Sequence, residues 1–428
     1  MTRAIFYLTY NGVFNNTNGI GTQAKTFLSG VSQFYPALRK EFGDFSVHLV
    51  TPMYDERWWG YTPADLAYAR DTVARLGGAV HVCPYRTSDD EFWTPASWLA
   101  LSASAAATVL AQAQAYGSSL VIANDIPFLH TPLFIEHSKH DLAVTVQSII
   151  ALYGSSYIHT PHVLDARRLD WERVGLATPA AYPDVKIARF SDFMMRHFAE
   201  RYGVEPASFV PLRSSLHLEH PEYGSVDEGQ KQFVLAAFQI PEDRPLVFAF
   251  GRADWIKGFD LLLNALAAVR ERVHLVLNAV PYAVDDPILG EYAELIRRIG
   301  LSATLLTGYS RELPRVLCQW HNTLVVVCPS RGEPLSNIPF EVSLWAKDAG
   351  PVLLCAGRDG FLEQIEDGRN GLLFDLDAPG DLEAKLKQVL ALSEAEKRGL
   401  RQHAYARVVR ERDFYCNFRE TLTHVWGR

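Results

Sequence analysis

Residues 330–341 read Ser330-Arg331-Gly332-Glu333-Pro334-Leu335-Ser336-Asn337-Ile338-Pro339-Phe340-Glu341. They follow the β-branched run 323–328, whose composition predicts a buried strand, and lead into a helical pattern that extends to about Trp345. Glu333 falls in the loop, and Glu341 on the helix, about six residues past its start. Ser336 and Asn337 are candidates for the helix N-terminus, where unpaired backbone N–H groups and the helix dipole favour an anion. Two carboxylates would repel a bare phosphate. They suit a ligand that presents hydroxyls on either side of a phosphate. Taken alone, such a pair is more often two solvated acids, so a second feature has to decide.

Outward from this stretch, the same strand–turn–helix unit recurs along the chain. Strand patterns fall at 4–9, 46–51, 79–83, 120–123 and 143–147, with helical patterns such as 23–40, 64–76 and 96–116 between them. A second series has strands at 245–250, 273–278, 303–307, 323–328 and 351–355. This alternation predicts an α/β fold with parallel sheets covered on both faces. Two series in succession, in a chain of 428 residues, predict two doubly wound, Rossmann-like domains facing a central cleft. The polar stretch 217–232 marks the boundary, giving a first domain over 1–220 and a second over 221–410. A terminal aromatic helix follows over 411–428, and periodicity leaves open whether it packs back on the first domain.

Composition narrows the function classes. Hydrophobic residues make up 48% and charged residues 21%, with a formal net charge of −8. That balance argues against a broad electrostatic grip on nucleic acid. The five cysteines are scattered without a CxxC pair and read as free thiols in a reducing compartment. The N-terminus enters a strand pattern without the features of a secretion signal, and no apolar stretch is expected to reach the length of a membrane span. The expectation is a soluble, cytoplasmic protein.

The second feature is Gly251-Arg252-Ala253-Asp254-Trp255-Ile256-Lys257-Gly258-Phe259-Asp260, directly after the first strand of the second series. Ligands of open parallel sheets bind at the carboxyl ends of strands, which places Arg252 and Lys257 where they can clamp a diphosphate. Gly251 allows close backbone approach and Gly258 the turn into a helix. Alone this is a basic loop. Combined with the acidic pair on another strand end, it becomes a strong signal for a ligand that carries hydroxyls on either side of a phosphate, as a nucleotide sugar does.

Together with LLTGYSRELPRVLCQWHNTLVVVCPSRGEPLSNIPFE and GPVLLCAGRDGFLEQIEDGRNGLLF, this pattern resembles the second domain of GT-B glycosyltransferases, specifically the retaining group known as GT4. Glu333 and Glu341 match that group's Glu-x7-Glu motif. The resemblance is looser in the first half, through NNTNGIGTQAKTFLSG and VIANDIPFLHTPLF. It implies that Arg252 and Lys257 bind the donor diphosphate, Glu341 the ribose and Glu333 the donor sugar, with Leu335, Ser336 and Asn337 offering backbone N–H groups to phosphate. Gly19 and Gly21 match a first-domain loop that approaches the donor. The implied chemistry transfers a sugar with retention, from a nucleotide-diphosphate sugar co-substrate, without a metal or other cofactor. Glu333, Arg252 and Lys257 are the implied catalytic set.

Three departures concern the acceptor side and the acidic loop. Relatives carry a histidine at the end of the strand predicted at 143–147, where Gln147 stands here. An Asn-Gly after the last first-domain strand reads Arg213-Ser214, and a glycine in the acidic loop reads Ser336. Acceptor-side candidates are therefore Asp125, His130, Gln147, His159 and Arg213. The acceptor is expected to be a soluble small molecule or glycan.

Weaker signals have plainer readings beside them. Gly19-Ile20-Gly21-Thr22-Gln23-Ala24 fits a dinucleotide fingerprint, but lies too far from its strand for the tight turn that fingerprint requires. Asp375-Leu376-Asp377 resembles a metal-binding DxD, and reads more simply as acids at a helix start. The pairs His137/His140, His159/His162 and His217/His220 have no third ligand in sequence. Trp58, Trp59, Tyr61, Trp93 and Trp98 read as packing or, functionally, as a stacking platform for a cyclic acceptor. A nucleotide-sugar epimerase and a non-catalytic sugar-nucleotide sensor are the competing functions.

Overall fold

The computed structural model describes residues 2–15, 19–56, 60–85, 92–281 and 286–427. Trp58 and Trp59 lie outside the described residues. The chain forms two compact units, Met1–His217 with Arg412–Arg428, and Leu218–Glu411.

The first unit holds a seven-stranded sheet of β1 (Arg3–Leu8), β2 (Phe45–Pro52), β3 (Val80–Cys83), β4 (Ser118–Asn124), β5 (Val146–Ala151), β6 (Val185–Arg189) and β7 (Phe209–Pro211), in the order β3-β2-β1-β4-β5-β6-β7. The second holds β8 (Leu246–Arg252), β9 (His274–Val280), β10 (Ala303–Leu306), β11 (Thr323–Cys328), β12 (Val352–Ala356) and β13 (Leu372–Phe374), in the order β10-β9-β8-β11-β12-β13. Every ladder in both sheets is parallel. Helices on both faces bury the central strands completely, as all seven residues of β9 show. This is the α/β, GT-B-type architecture. In each unit the strand order reverses beside the first strand, between β1 and β4 and between β8 and β11. Those reversals open crevices at the strand carboxyl ends, and both sequence motifs of the second unit lie at the β8/β11 reversal.

Several expectations are corrected. The strand predicted at 143–147 is β5, and it runs on to Ala151. Gln147 and Ser148 look like a polar end in sequence, yet they pair in register with Leu120 and Val121 inside the sheet. Strands β6, β7 and β13 escaped notice because they are short, and β6 is polar at Lys186 and Arg189. The helix Pro95–Ala113 is, by length and composition, long and apolar enough to cross a membrane, contrary to the expectation that no stretch is. Its alanines lower side-chain bulk without adding charge. Leu101, Ala105, Ala106, Val109, Leu110 and Ala113 line the core against Phe6, Leu8 and Val121.

The terminal helix Phe414–Trp426 packs on the first unit's long helix Gly19–Phe42. A Cβ at Gly30 would lie 2.3 Å from the Phe414 ring, so glycine permits the approach. Leu216 and Asp413 form a parallel bridge beside it.

Candidate active site

The second unit's site is assembled from three loops that follow β8, β11 and β12. Gly258 joins the first two. It has φ +66°, and a Cβ there would sit 2.1 Å from the Pro329 carbonyl oxygen. Any other residue would push the Lys257 loop off the end of β11. Gly360 joins the other two, since its missing Cβ would fall 2.3 Å from the Pro334 carbonyl oxygen, and its N–H donates to the Glu333 carbonyl at 2.9 Å. The preceding Asp359 has φ +52° and accepts the Glu333 N–H at 3.2 Å.

Within this stack Lys257 and Glu333 meet. Lys257 Nζ lies 2.6 Å from Glu333 Oε2, and both side chains are largely covered. Arg252 is the last residue of β8, partly exposed, and Gly251 before it has φ +149°.

Sequence reasoning missed Arg331, which ties the loops together. Its guanidinium grips Asp260 through two bonds of 2.8 and 2.6 Å, donates to the Trp255 carbonyl at 2.8 Å and stacks over the Trp255 ring at 4.6 Å. An arginine inside the acidic motif was the available signal; its partner Asp260 stands 71 residues away in the chain, in the first turn of the helix Phe259–Leu266.

Glu341 stands in the first turn of the helix Ile338–Trp345, closer to the helix start than expected. Its carboxyl is pushed up to about 8, first by burial and then by the Glu222 carboxylate, against the opposing pull of Arg311. Arg311 pairs with Glu222 at 3.0 Å, and the Glu222 carbonyl accepts the Trp345 indole N–H at 3.0 Å. Glu222 lies in the polar stretch read from sequence as a boundary. Nothing in that stretch marks it as a neighbour of Glu341.

The loop expected to face a phosphate needs one correction. The Ser336 N–H is taken by the Gln364 side-chain oxygen at 3.1 Å, while the Gln364 amide donates back to the Ser336 carbonyl at 2.7 Å. That N–H is therefore not on offer to a phosphate. The Ser336 hydroxyl accepts the Ile338 N–H at 3.3 Å and so helps cap the helix, and Asn337 occupies the cap position itself. Leu335 N–H has no partner among the described residues.

In the first unit Gly21 is buried in the first turn of its helix, and Gly12, at φ +91°, packs against it. Gly19 opens that helix. Asp125 follows β4 with φ +65°, and its carboxylate accepts the Tyr10 hydroxyl at 3.3 Å. Burial raises its pKa, and Arg168 opposes that rise. His130 is buried, stacked on Trp171 at 3.5 Å with Nε2 against the Trp171 carbonyl at 2.8 Å, which is a packing position. His159 ends a short helix and fills the space above Gly154. Gln147 is the second residue of β5, at the opposite end of the strand from the crevice; Tyr153 follows the carboxyl end instead, donating to Asn124 at 3.2 Å. Arg213 is exposed and lies 3.8 Å from Glu420 of the terminal helix.

The DxD reading gives way to the plainer one. Asp375 accepts the Asp377 N–H, Asp381 accepts the Asp375 N–H, and Asp377 pairs with Arg358 at 2.9 Å. None of the three histidine pairs joins a group of three metal-ligating side chains among the described residues.

Comparison with known proteins agrees with this geometry. Residues 244–392 match the family model described as Glycosyl transferases group 1. The chain is 28% identical over 181 residues, 40% of either chain, to a D-inositol 3-phosphate glycosyltransferase of Kribbella flavida. It is 30% identical over 161 residues to an α-maltose-1-phosphate synthase of Mycolicibacterium smegmatis, covering 37% of this chain and 40% of that one. These alignments span less than half the length of either relative. Among solved structures, Anabaena HepE in complex with UDP and glucose superposes with a TM-score of 0.72 at 15% identity, over 99% of both chains. That likeness concerns the fold.

Proposed function

We propose that this protein, whose segment 244–392 matches the model of the Glycosyl transferases group 1 family, moves a sugar from a nucleotide-sugar donor to a soluble small-molecule or saccharide acceptor, with retention of anomeric configuration. The observation that carries the reading is the Lys257–Glu333 pair at the β8/β11 reversal. The pair sets an ammonium beside a carboxylate, a combination that suits a diphosphate next to sugar hydroxyls. HepE was solved with UDP and glucose, which supports a donor of this class.

In the reaction, an acceptor hydroxyl oxygen bonds to the anomeric carbon as that carbon's bond to the β-phosphate oxygen breaks. The hydroxyl proton passes to the departing phosphate, on the same face of the sugar, and nucleoside diphosphate leaves. Charge builds on the leaving phosphate, so positive groups fixed in advance do most of the work. Lys257 can serve because its ammonium carries three N–H donors, of which the Glu333 contact takes one. Arg252 supplies a second cation at the end of β8, and the Leu335 N–H a neutral donor. Positive charge from side chains takes the place of a metal ion in this reading. Glu333 orients the sugar ring and Glu341 the ribose.

The test is turnover of UDP-, GDP-, ADP- and dTDP-sugars, with and without acceptor, by the wild type and Lys257→Ala. Acceptor-dependent release of nucleoside diphosphate, lost about 10²–10³-fold in the folded variant, is expected. Isomerised sugar without nucleotide release would establish an epimerase, and tight binding without turnover a sensor. Near-normal activity of Lys257→Ala would overturn the site.

A further inference from the structure

Behind the helix Ile338–Trp345, which begins at the acidic loop, lies a small cavity bounded also by the helix Glu394–Glu411 and the start of β12. Val342, Ser343 and Ala346 line it from one side, and Leu400, Arg401 and Ala404 from the other. Both triplets follow the spacing that puts residues on one helix face. Each ends in an alanine, so two packed segments meet there without the bulk to fill the gap. The cavity holds about 10 Å³, room for one atom-sized occupant.

An arginine on such a wall is unexpected. Arg401 is only 8% exposed. Its Nη1 donates to the Gly350 carbonyl at 3.0 Å, while its Nε has no hydrogen-bond partner among the described residues. Gly350 is fixed in its place, with φ +106° and a position where a Cβ would lie 2.2 Å from the Cys318 carbonyl oxygen. The carboxylate that acts on the guanidinium is Glu394, whose side chain is 73% exposed and already bonded to Lys397 at 2.9 Å. Burial lowers the Arg401 pKa; Glu394 opposes that fall and Arg398 adds to it. An arginine does not give up its proton in a protein. The charge therefore stays, in a place where cations are normally paired.

The other polar groups of the lining are neutral and largely committed. The Ser343 hydroxyl donates to the Pro339 carbonyl at 2.6 Å. The Asn370 side-chain oxygen accepts the Glu366 N–H at 2.6 Å, and its amide donates to the Gln364 carbonyl at 2.8 Å, which leaves it a second N–H. No carboxylate lines the cavity among the described residues. The surroundings thus offer positive charge and N–H donors with no anion to match them. A water would satisfy the Nε–H bond but not the charge, and a tetrahedral oxyanion is too large for the space.

We infer that this cavity is a halide site, which takes one chloride-sized anion on the Arg401 Nε–H. The ion ties the helix that carries Glu341 to the helix Glu394–Glu411 behind it. This site is independent of the transferase reading and uses none of the residues assigned to the donor.

The experiment is calorimetric melting of the full chain in sodium chloride and in sodium gluconate at equal ionic strength, with chloride-35 NMR line widths on the same samples. Chloride should raise the melting temperature by about 2–4 °C over gluconate. Its resonance should broaden, and added bromide should narrow it by competition. Arg401→Gln should lose both effects. Ala404→Val keeps the guanidinium and narrows the cavity, so it should lose them too, and it decides the matter if Arg401→Gln fails to fold. Equal melting of the wild type in the two salts would overturn the site and leave a water at Arg401. A chloride shift that persists undiminished in Ala404→Val would overturn it as well, by placing the ion on the outer surface.

Discussion

Replacing Glu341 by glutamine should stabilise the unliganded protein above neutral pH and weaken its hold on nucleotide. The Glu341 carboxyl is raised from 4.5 to about 8, chiefly by burial and secondly by Glu222. The folded chain then holds a proton that the unfolded chain releases above pH 4.5. Stability from this group is present in full below that value and is lost as pH rises through about 8. At 1.36 kcal/mol per pH unit, the loss reaches about 5 kcal/mol in alkaline solution. Glutamine has no charge to bury but still needs hydrogen-bond partners, so the gain should be roughly 2–3 kcal/mol at pH 8.5 and near zero at pH 5. In a unit of this size that corresponds to about 4–12 °C in melting temperature. Thermal unfolding of wild type and Glu341→Gln at pH 5, 7 and 8.5 reads the effect, with UDP titrations on the same samples. A variant no more stable than wild type at pH 8.5 would show that Glu341 is not the group holding the proton. Unchanged UDP affinity would remove it from the ribose site.

Other outcomes follow from single contacts. Gly258→Ala combines φ +66° with a 2.1 Å approach to the Pro329 oxygen, and should cost roughly 2–4 kcal/mol in denaturant unfolding. Gln364→Ala leaves the buried N–H and carbonyl of Ser336 unpaired. It should destabilise by about 1–3 kcal/mol and weaken UDP binding in calorimetry, whereas undisturbed UDP affinity would detach this loop from the phosphate site. His48 is held down to about 4, by burial first and His81 second. The unfolded chain therefore binds the extra proton between pH 6.5 and 4, and this site should remove about 3 kcal/mol of stability as pH falls across that window. His48→Gln should flatten that part of the profile, measured by denaturant midpoints at pH 7 and 4.5.

What the sequence disclosed followed from how local each feature is. The apolar runs of β8, β9 and β11, each entering a helix through glycine or a cap, specify parallel strands within a few residues, and the strand-end rule carries Lys257 and Glu333 to the same crevice. Glu341 was placed on the correct helix because its motif is contiguous. Glu222, Arg311 and Gln364 act on the site from other segments, and no spacing in the chain connects them to it. Gln147 shows the opposite failure. A polar pair inside a strand looks like its end when the next apolar run, Ile149–Ala151 of β5, is assigned to nothing. Ser336 was legible as a helix-start residue but not as one whose N–H is already committed, because the partner lies beyond the next strand.

The unliganded charges also rank the cations that can meet a diphosphate. Arg331 spends three donors on Asp260 and the Trp255 carbonyl and lies flat on the Trp255 ring. Moving it would undo the contact between the β8 and β11 loops, so its role is to hold them. Arg358 is engaged by Asp377, and Arg311 by Glu222 beside Glu341. Lys257 differs in kind. Its Glu333 contact uses one donor of a freely rotating ammonium, and shifting toward a phosphate would loosen that carboxylate just as sugar hydroxyls arrive to replace it. Each partner of the pair thus exchanges one charge-assisted contact for another, and neither is left buried and unsatisfied in the bound state.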